Sequence, residues 1–196
     1  MNNKDNINAK DNGNNLESNN KYKYLDEKKI IEIINLLTIE QVLYFNSNYL
    51  VDILTKNRGK TKLKIDSIKD PLYSHKVPII KIEDYLIRLV KFSKMEISTL
   101  VLTFIYIKRF IDKENFIIAF NNIFRLIITC SLLAIKFNEN KAFKNSFYAK
   151  IGGLEVEDLN ILEYNVFSRL NFNLRVLDSE FYETISEIYK ESLNNS

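Results

Sequence analysis

The sequence predicts an all-α fold, and three observations support this. Residues 123–137 are apolar at all but four positions, which is typical of a helix buried on most of its sides. Around that run, residues 78–176 repeat apolar side chains at helical spacing, with no strand-like alternation or hairpin turn. The 196 residues include only 4 glycines and 2 prolines, which favours helices over tight turns. Two nearly all-apolar helices among amphipathic ones favour a five-helix orthogonal bundle, with extra N-terminal helices and one C-terminal helix.

Four regions follow from composition. Residues 1–25 are rich in Asn, Lys and Asp and bury too little apolar area to offset the entropy of ordering, so we expect a disordered tail. Residues 26–77 are predicted to hold N-terminal helices and a basic loop. The bundle is expected over 78–176, and a C-terminal helix and tail over 177–196.

The N-terminal helices are predicted over 26–45 and 48–55, the second ending near Gly59. Residues 60–77 form the basic loop, because Pro71 prevents a continuous helix there.

Several of the predicted helices have a start or stop signal of their own. An amphipathic stripe marks the first, and the Ser93–Glu96 spacing predicts a capping box that opens the second. The Gly152–Gly153 pair is expected to close the fourth, and Asp178 can cap a last helix that runs to about Tyr189. The five predicted bundle helices are 82–92, 96–111, 121–138, 144–151 and 155–171.

Composition also argues against several classes of partner and cofactor. A net charge of +3 without a basic stripe does not predict nucleic-acid binding. One cysteine excludes an internal disulfide, and no cysteine–histidine cluster suggests a metal. A helix over 121–138 would be roughly 25 Å long, shorter than a bilayer core of ~30 Å. With no apolar run for a signal peptide either, we expect an intracellular protein, in the nucleus and/or cytoplasm, without membrane contact.

No set of residues predicts catalysis. Cys130 lies within the apolar run, where a free cysteine behaves as a small hydrophobe. The single histidine, His75, falls in a predicted loop, and no phosphate-binding or zinc-protease motif is present. We therefore expect no enzyme activity, no cofactor and no small-molecule substrate, and we look for the function in binding.

Four segments resemble the P-type (also called U-type) cyclins. They are DYLIRLVKF (84–92), FIYIKRFI (104–111), FRLIITCSLLAIKFNEN (124–140) and NSFYAKIGGLEVEDLNILEYNVFSRLNFNLRV (145–176). The resemblance extends over about residues 78–190, and its last segment is the most specific. It implies a single cyclin box and a regulatory subunit that activates a cyclin-dependent protein kinase, in cell-cycle or nutrient-linked control.

The resemblance also implies which residues bind the kinase. In the family, a lysine that ends the third box helix and a glutamate in the fifth hydrogen-bond main-chain groups at the start of the kinase αC helix. By position these are Lys136 and Glu163. Holding that helix in its active position, αC-in, is what activates the kinase. The apolar contacts that match by position are Leu133, Phe137, Phe167 and Phe172.

One departure from the family pattern concerns a polar contact between the first two box helices. Lys108 stands where the family usually has an aspartate, which commonly pairs with the first-helix arginine, here Arg88. Two cations would repel, so either Lys108 points to solvent or a carboxylate supplies the missing charge. Asp112, one turn along, is the candidate. The MRAIL-like docking motif of mitotic cyclins and its tryptophan are absent, so we expect no docking of that kind.

Two alternatives to kinase activation remain open. The first is a transcription-factor-like cyclin fold that binds nucleic acid or a polymerase. The second is a scaffold that binds a kinase without activating it.

Overall fold

The computed structural model describes residues 27–58 and 69–194, and this part of the chain contains eight α-helices and no strand. The all-α prediction is confirmed. No helix within the described ranges is long and apolar enough to cross a membrane. The helices are α1 (Glu27–Leu36), α2 (Ile39–Lys56), α3 (Ile82–Ser93), α4 (Ile97–Glu114), α5 (Ile123–Asn138), α6 (Asn145–Gly152), α7 (Val156–Arg169) and α8 (Asp178–Asn194).

Helix α5 lies at the centre of the fold and packs against α3, α4, α6 and α7. Every side chain from residue 123 to residue 135 is buried, except that of Arg125, which is half-buried. Its most extensive contact is with α4, the second nearly all-apolar helix, which is buried from Thr99 to Ile107 and at Phe110. These two helices form the core that the sequence predicted. The surrounding helices are therefore fixed relative to the exposed C-terminal end of α5.

Helix α8 packs against α1, α2 and α4, so the additional helices share one side of the bundle. Two ion pairs join α8 to α4. Arg109 Nε donates to Glu180 Oε1 at 2.7 Å, and Lys108 Nζ lies 3.2 Å from Glu187 Oε2.

Arg169, at the end of α7, connects three segments. Its Nε donates to Glu114 Oε2 of α4 at 2.8 Å, and its Nη1 donates to Asp70 Oδ2 at 2.7 Å. The guanidinium also lies 4.5 Å from the centroid of the Phe110 ring. Because these contacts satisfy the cation on several sides, Arg169 joins the end of α7 to α4 and to the segment that precedes α3.

The N-terminal helices do not divide as predicted. Two helices are present, but the expected break between residues 45 and 48 is wrong, because α1 ends at Leu36 and α2 runs without a break from Ile39 to Lys56. Thr38 and Gln41 form a capping box: Gln41 N–H donates to Thr38 Oγ1 at 3.3 Å, and Thr38 N–H donates to Gln41 Oε1 at 2.9 Å. The predicted tail, 1–25, and residues 60–68 of the predicted loop lie outside the described residues.

The predicted capping box at Ser93 is also wrong. Ser93 is the last residue of α3, and its hydroxyl donates to the Leu89 carbonyl at 2.7 Å. The Glu139 carboxylate, just after α5, caps α4 instead: it accepts from Glu96 N–H at 3.1 Å and from the Thr99 hydroxyl at 2.5 Å. A cap supplied from 43 residues away leaves no signal in local spacing.

The glycine pair closes α6, as predicted. Gly153 follows the helix with φ of +72°, a left-handed conformation that glycine adopts without strain. A Cβ on Gly152 would lie 2.8 Å from Cγ1 of Ile128, so only glycine allows α6 to pack this closely on α5. Tyr85 Oη donates to the Gly152 carbonyl at 3.1 Å and fixes the same end of α6.

Candidate functional site

The structure brings Lys136 and Glu163 together on the surface. Lys136 lies in the last turn of α5, Glu163 lies within α7, and these two helices pack against each other. Lys136 Nζ and Glu163 Oε1 are 2.6 Å apart, and the two side chains are 36% and 21% exposed. The pair is therefore neither sealed in the core nor fully solvated, and a partner can reach it.

A third helix contributes to this pair. Asn145, the first residue of α6, donates from Nδ2 to Glu163 Oε2 at 2.7 Å and to Asn160 Oδ1 at 2.7 Å. Sequence reasoning missed both asparagines. Asn145 begins the 145–176 segment that resembles the cyclins, but nothing in the spacing indicates that its side chain contacts a glutamate 18 residues further on.

Exposed aromatic side chains lie next to the pair in the sequence. Phe137 follows Lys136 and is 53% exposed, and Phe172 is 57% exposed. The Phe172 ring packs edge-on against half-buried Phe167, with centroids 5.1 Å apart, and lies 6.3 Å from the ring of Tyr164. Tyr164 and Phe143 are exposed and were not predicted as contacts. Tyr164 follows Glu163, and Phe143 lies two residues before Asn145. We call Phe137, Phe143, Tyr164, Phe167 and Phe172, together with Lys136 and Glu163, the rim surface.

Leu133 differs from the other predicted contacts. It is 3% exposed, so the structure places its side chain in the core instead of on the rim surface. It lies one turn before Lys136 and supports α5 from within.

Lys108 and Arg88, whose expected pairing between α4 and α3 was in doubt, each contact a different helix. Lys108 pairs with Glu187 of α8, so the expectation that Asp112 supplies the missing carboxylate is wrong. Asp112 is exposed, and Arg88 Nη2 donates to the Lys150 carbonyl of α6 at 3.4 Å. The physical reason is that α8 packs on α4 and brings its own carboxylate to Lys108.

The described residues contain no group of three or more His, Cys, Asp and Glu side chains that could hold a metal ion. Cys130 is buried within α5, and burial raises the pKa of its thiol because the thiolate would be desolvated there. The thiol therefore belongs to the core, as its place in the apolar run predicted.

Comparison with known proteins agrees with this architecture. The family model described as Cyclin matches residues 6–174. Cyclin-U2-2 of Arabidopsis thaliana is 31% identical over 173 residues, which cover 87% of this chain and 73% of the relative. Cyclin-P3-1 of Oryza sativa subsp. japonica is 30% identical over 168 residues, which cover 80% and 71%.

A third relative, Cyclin-U2-1 of Arabidopsis thaliana, is 37% identical over 116 residues, which cover 59% of this chain. The chain spans about half the length of this relative, 52%, and 63% of Cyclin-U4-2 from the same plant. Because the family model covers most of the chain and Cyclin-U2-2 is matched over nearly three quarters of its length, the chain belongs to the cyclin family.

Proposed function

We propose that this chain is a non-catalytic regulatory subunit that binds a cyclin-dependent protein kinase through the rim surface and activates it by stabilising the αC-in state. One observation carries the proposal: a lysine and a glutamate 2.6 Å apart are both partly exposed, and an exposed aromatic residue follows each of them in the sequence. Membership of the cyclin family supports a kinase as the partner.

The paired charges suit the first turn of a partner helix. The first four N–H groups of a helix have no partner within the helix, and the helix dipole favours negative charge there. Glu163 can accept from such N–H groups, while Lys136 can donate to a main-chain carbonyl nearby. Charge-assisted hydrogen bonds of this kind are directional, so they would set the register of the partner helix.

The aromatic side chains supply apolar area beside these directional contacts. Phe137 and Phe172 are each more than half exposed, so a docked helix would remove much of both from water. Aromatic side chains at the centre of an interface often carry most of its binding energy. We expect them to contribute affinity, and the charged pair to contribute geometry.

Activation requires no reactive group on this chain. A ligand shifts a two-state equilibrium only by the difference between its affinities for the two states. Moving αC from about 1% to about 99% in the active position needs roughly 10⁴-fold tighter binding to that state. With αC in place, the kinase forms its own lysine–glutamate pair, and phosphoryl transfer can proceed.

The test exchanges the two charges. In the variant Lys136→Glu with Glu163→Lys, the residues can still attract each other, so the fold should persist, but donors and acceptors trade places. The matched control exchanges another pair at the same distance, Asp52→Lys with Lys56→Glu on α2, where the ions are also 2.6 Å apart. Net charge is unchanged in both variants.

Each protein is titrated into recombinant cyclin-dependent kinases from the organism that makes this chain. Calorimetry measures the affinity, and phosphorylation of a peptide measures the kinase activity. The unaltered chain and the α2 control should bind one kinase and raise its rate, and the exchanged variant should do neither. Undiminished binding by the exchanged variant would contradict the site. Binding by the unaltered chain without any rise in rate would contradict activation and favour a scaffold.

A further inference from the structure

The side-chain amide of Asn145 makes two hydrogen bonds beside the Lys136–Glu163 pair. Its Nδ2 lies 2.7 Å from Glu163 Oε2 and 2.7 Å from Asn160 Oδ1, so both of its hydrogens are used. A carboxylate oxygen can only accept, which fixes the amide with its nitrogen towards Glu163.

Glu163 is therefore held from two sides. Lys136 of α5 engages Oε1 and Asn145 of α6 engages Oε2, while the side chain itself belongs to α7. The last torsion of a glutamate is broad, so one contact alone would leave the carboxylate plane free to turn. Two donors on different oxygens fix that plane, and each oxygen keeps a second lone pair for a partner.

Asn145 is itself well supported. Helix α6 packs on α5 through Gly152, and just before α6 the Phe143 N–H donates to Tyr148 Oη at 3.1 Å. The rings of Phe143 and Phe147 lie 4.5 Å apart on either side of Asn145 in the sequence. A binding group held by a rigid support loses less conformational entropy when a partner docks.

We propose that Asn145 is a positioning residue of the partner-binding site, which fixes the Glu163 carboxylate in the orientation that accepts main-chain N–H groups of the partner helix. The inference rests on the proposed kinase-binding function and adds a residue that acts through Glu163.

Two substitutions test this role by affinity for the kinase that the unaltered chain binds. Asn145→Ala leaves the plane of the Glu163 carboxylate free to turn and should weaken binding about tenfold, which corresponds to about 1.4 kcal/mol of binding free energy. Asn145→Asp puts a second carboxylate against Glu163 and should weaken binding further at pH 8. Two carboxylates in hydrogen-bond contact hold one shared proton to a higher pH than either alone, and that proton again bridges them.

Affinity of Asn145→Asp should therefore rise as the pH falls from 8 to 5, a response that a loss of packing would not produce. Lys136 from α5 and Asn145 from α6 contact the Glu163 carboxylate, and Asn160 of α7 accepts a hydrogen bond from Asn145. The matched control is Asn57→Asp, the same change in charge at an amide that donates to the Ile118 carbonyl at 3.2 Å. It should leave affinity and its pH dependence as in the unaltered chain.

Unaltered affinity in Asn145→Ala, or the same pH dependence in Asn145→Asp as in the control, would overturn the inference while leaving the proposed function standing. Failure of the unaltered chain to bind any kinase would overturn both. In the free chain, Glu163→Gln should shift the side-chain amide signals of Asn145 in the NMR spectrum, and signals that stay in place would also contradict the contact.

Discussion

Phe137 and Leu133 lie one turn apart on α5, and truncating each to alanine should separate partner binding from folding. Phe137 is 53% exposed and Leu133 is 3% exposed. If the rim surface binds a partner helix, the exposed ring contributes to the complex. The buried leucine contributes to the free energy of unfolding.

The magnitudes follow from those exposures. A phenylalanine offers about 200 Å² of surface, so the exposed half of Phe137 is about 100 Å², worth about 2.5 kcal/mol if fully buried by a partner. Association does not convert all buried area into affinity, so we expect Phe137→Ala to weaken binding about 10- to 50-fold. Leu133→Ala leaves a cavity in the core and should lower the free energy of unfolding by about 2–5 kcal/mol.

Both quantities are measured on the same preparations. Denaturant unfolding followed by circular dichroism gives the free energy of unfolding, and calorimetry with the kinase gives affinity. Phe137→Ala should unfold within about 0.5 kcal/mol of the unaltered chain, because its ring is largely in water. If Phe137→Ala binds the kinase as tightly as the unaltered chain does, the position of the interface is wrong. If Leu133→Ala is as stable as the unaltered chain, the assignment of Leu133 to the core is wrong.

Three further predictions concern the rest of the fold. Arg169→Lys should lower the free energy of unfolding by about 2 kcal/mol, because an ammonium cannot bond two carboxylates and stack on a ring as the guanidinium does. Thermal unfolding measures this loss, and an unchanged midpoint would contradict it. Glu187→Lys should lower the free energy of unfolding by under about 1 kcal/mol, because the site is partly exposed, and adding Lys108→Glu should restore it. A double-mutant cycle that shows no coupling energy would contradict the Lys108–Glu187 ion pair. Cys130 should resist a thiol reagent at pH 8 until the chain unfolds, since burial raises the pKa of its thiol, and rapid labelling of the native chain would show that the core is open.

The core of this fold could be predicted from sequence because its signals are local. The apolar run from residue 123 to residue 137 identified α5, and the glycine pair at the end of α6 was correctly interpreted as a helix stop. The Thr38–Gln41 capping box also has a local signal, a hydroxyl and an amide three residues apart. The apolar pattern continues on both sides of it, so the break between α1 and α2 was not predicted there.

The parts that sequence reasoning missed depend on contacts between distant segments. Glu139 caps α4 from the end of α5, and Glu187 reaches Lys108 from α8, so neither partner could be read from spacing. At the rim surface the positions of Lys136 and Glu163 came from a family resemblance. The hydrogen bond from Asn145 could not be predicted, because only the packing of α6 against α5 and α7 creates it.

Activation through αC is tested most directly on the αC helix of the kinase itself. Hydrogen exchange of its αC amides is measured with and without this chain, together with the rate of peptide phosphorylation. We expect slower exchange along αC and a higher phosphorylation rate with the unaltered chain, and neither effect with the Lys136→Glu, Glu163→Lys variant. A tight complex in which αC exchange and the rate both stay at the level of the free kinase would contradict activation through αC.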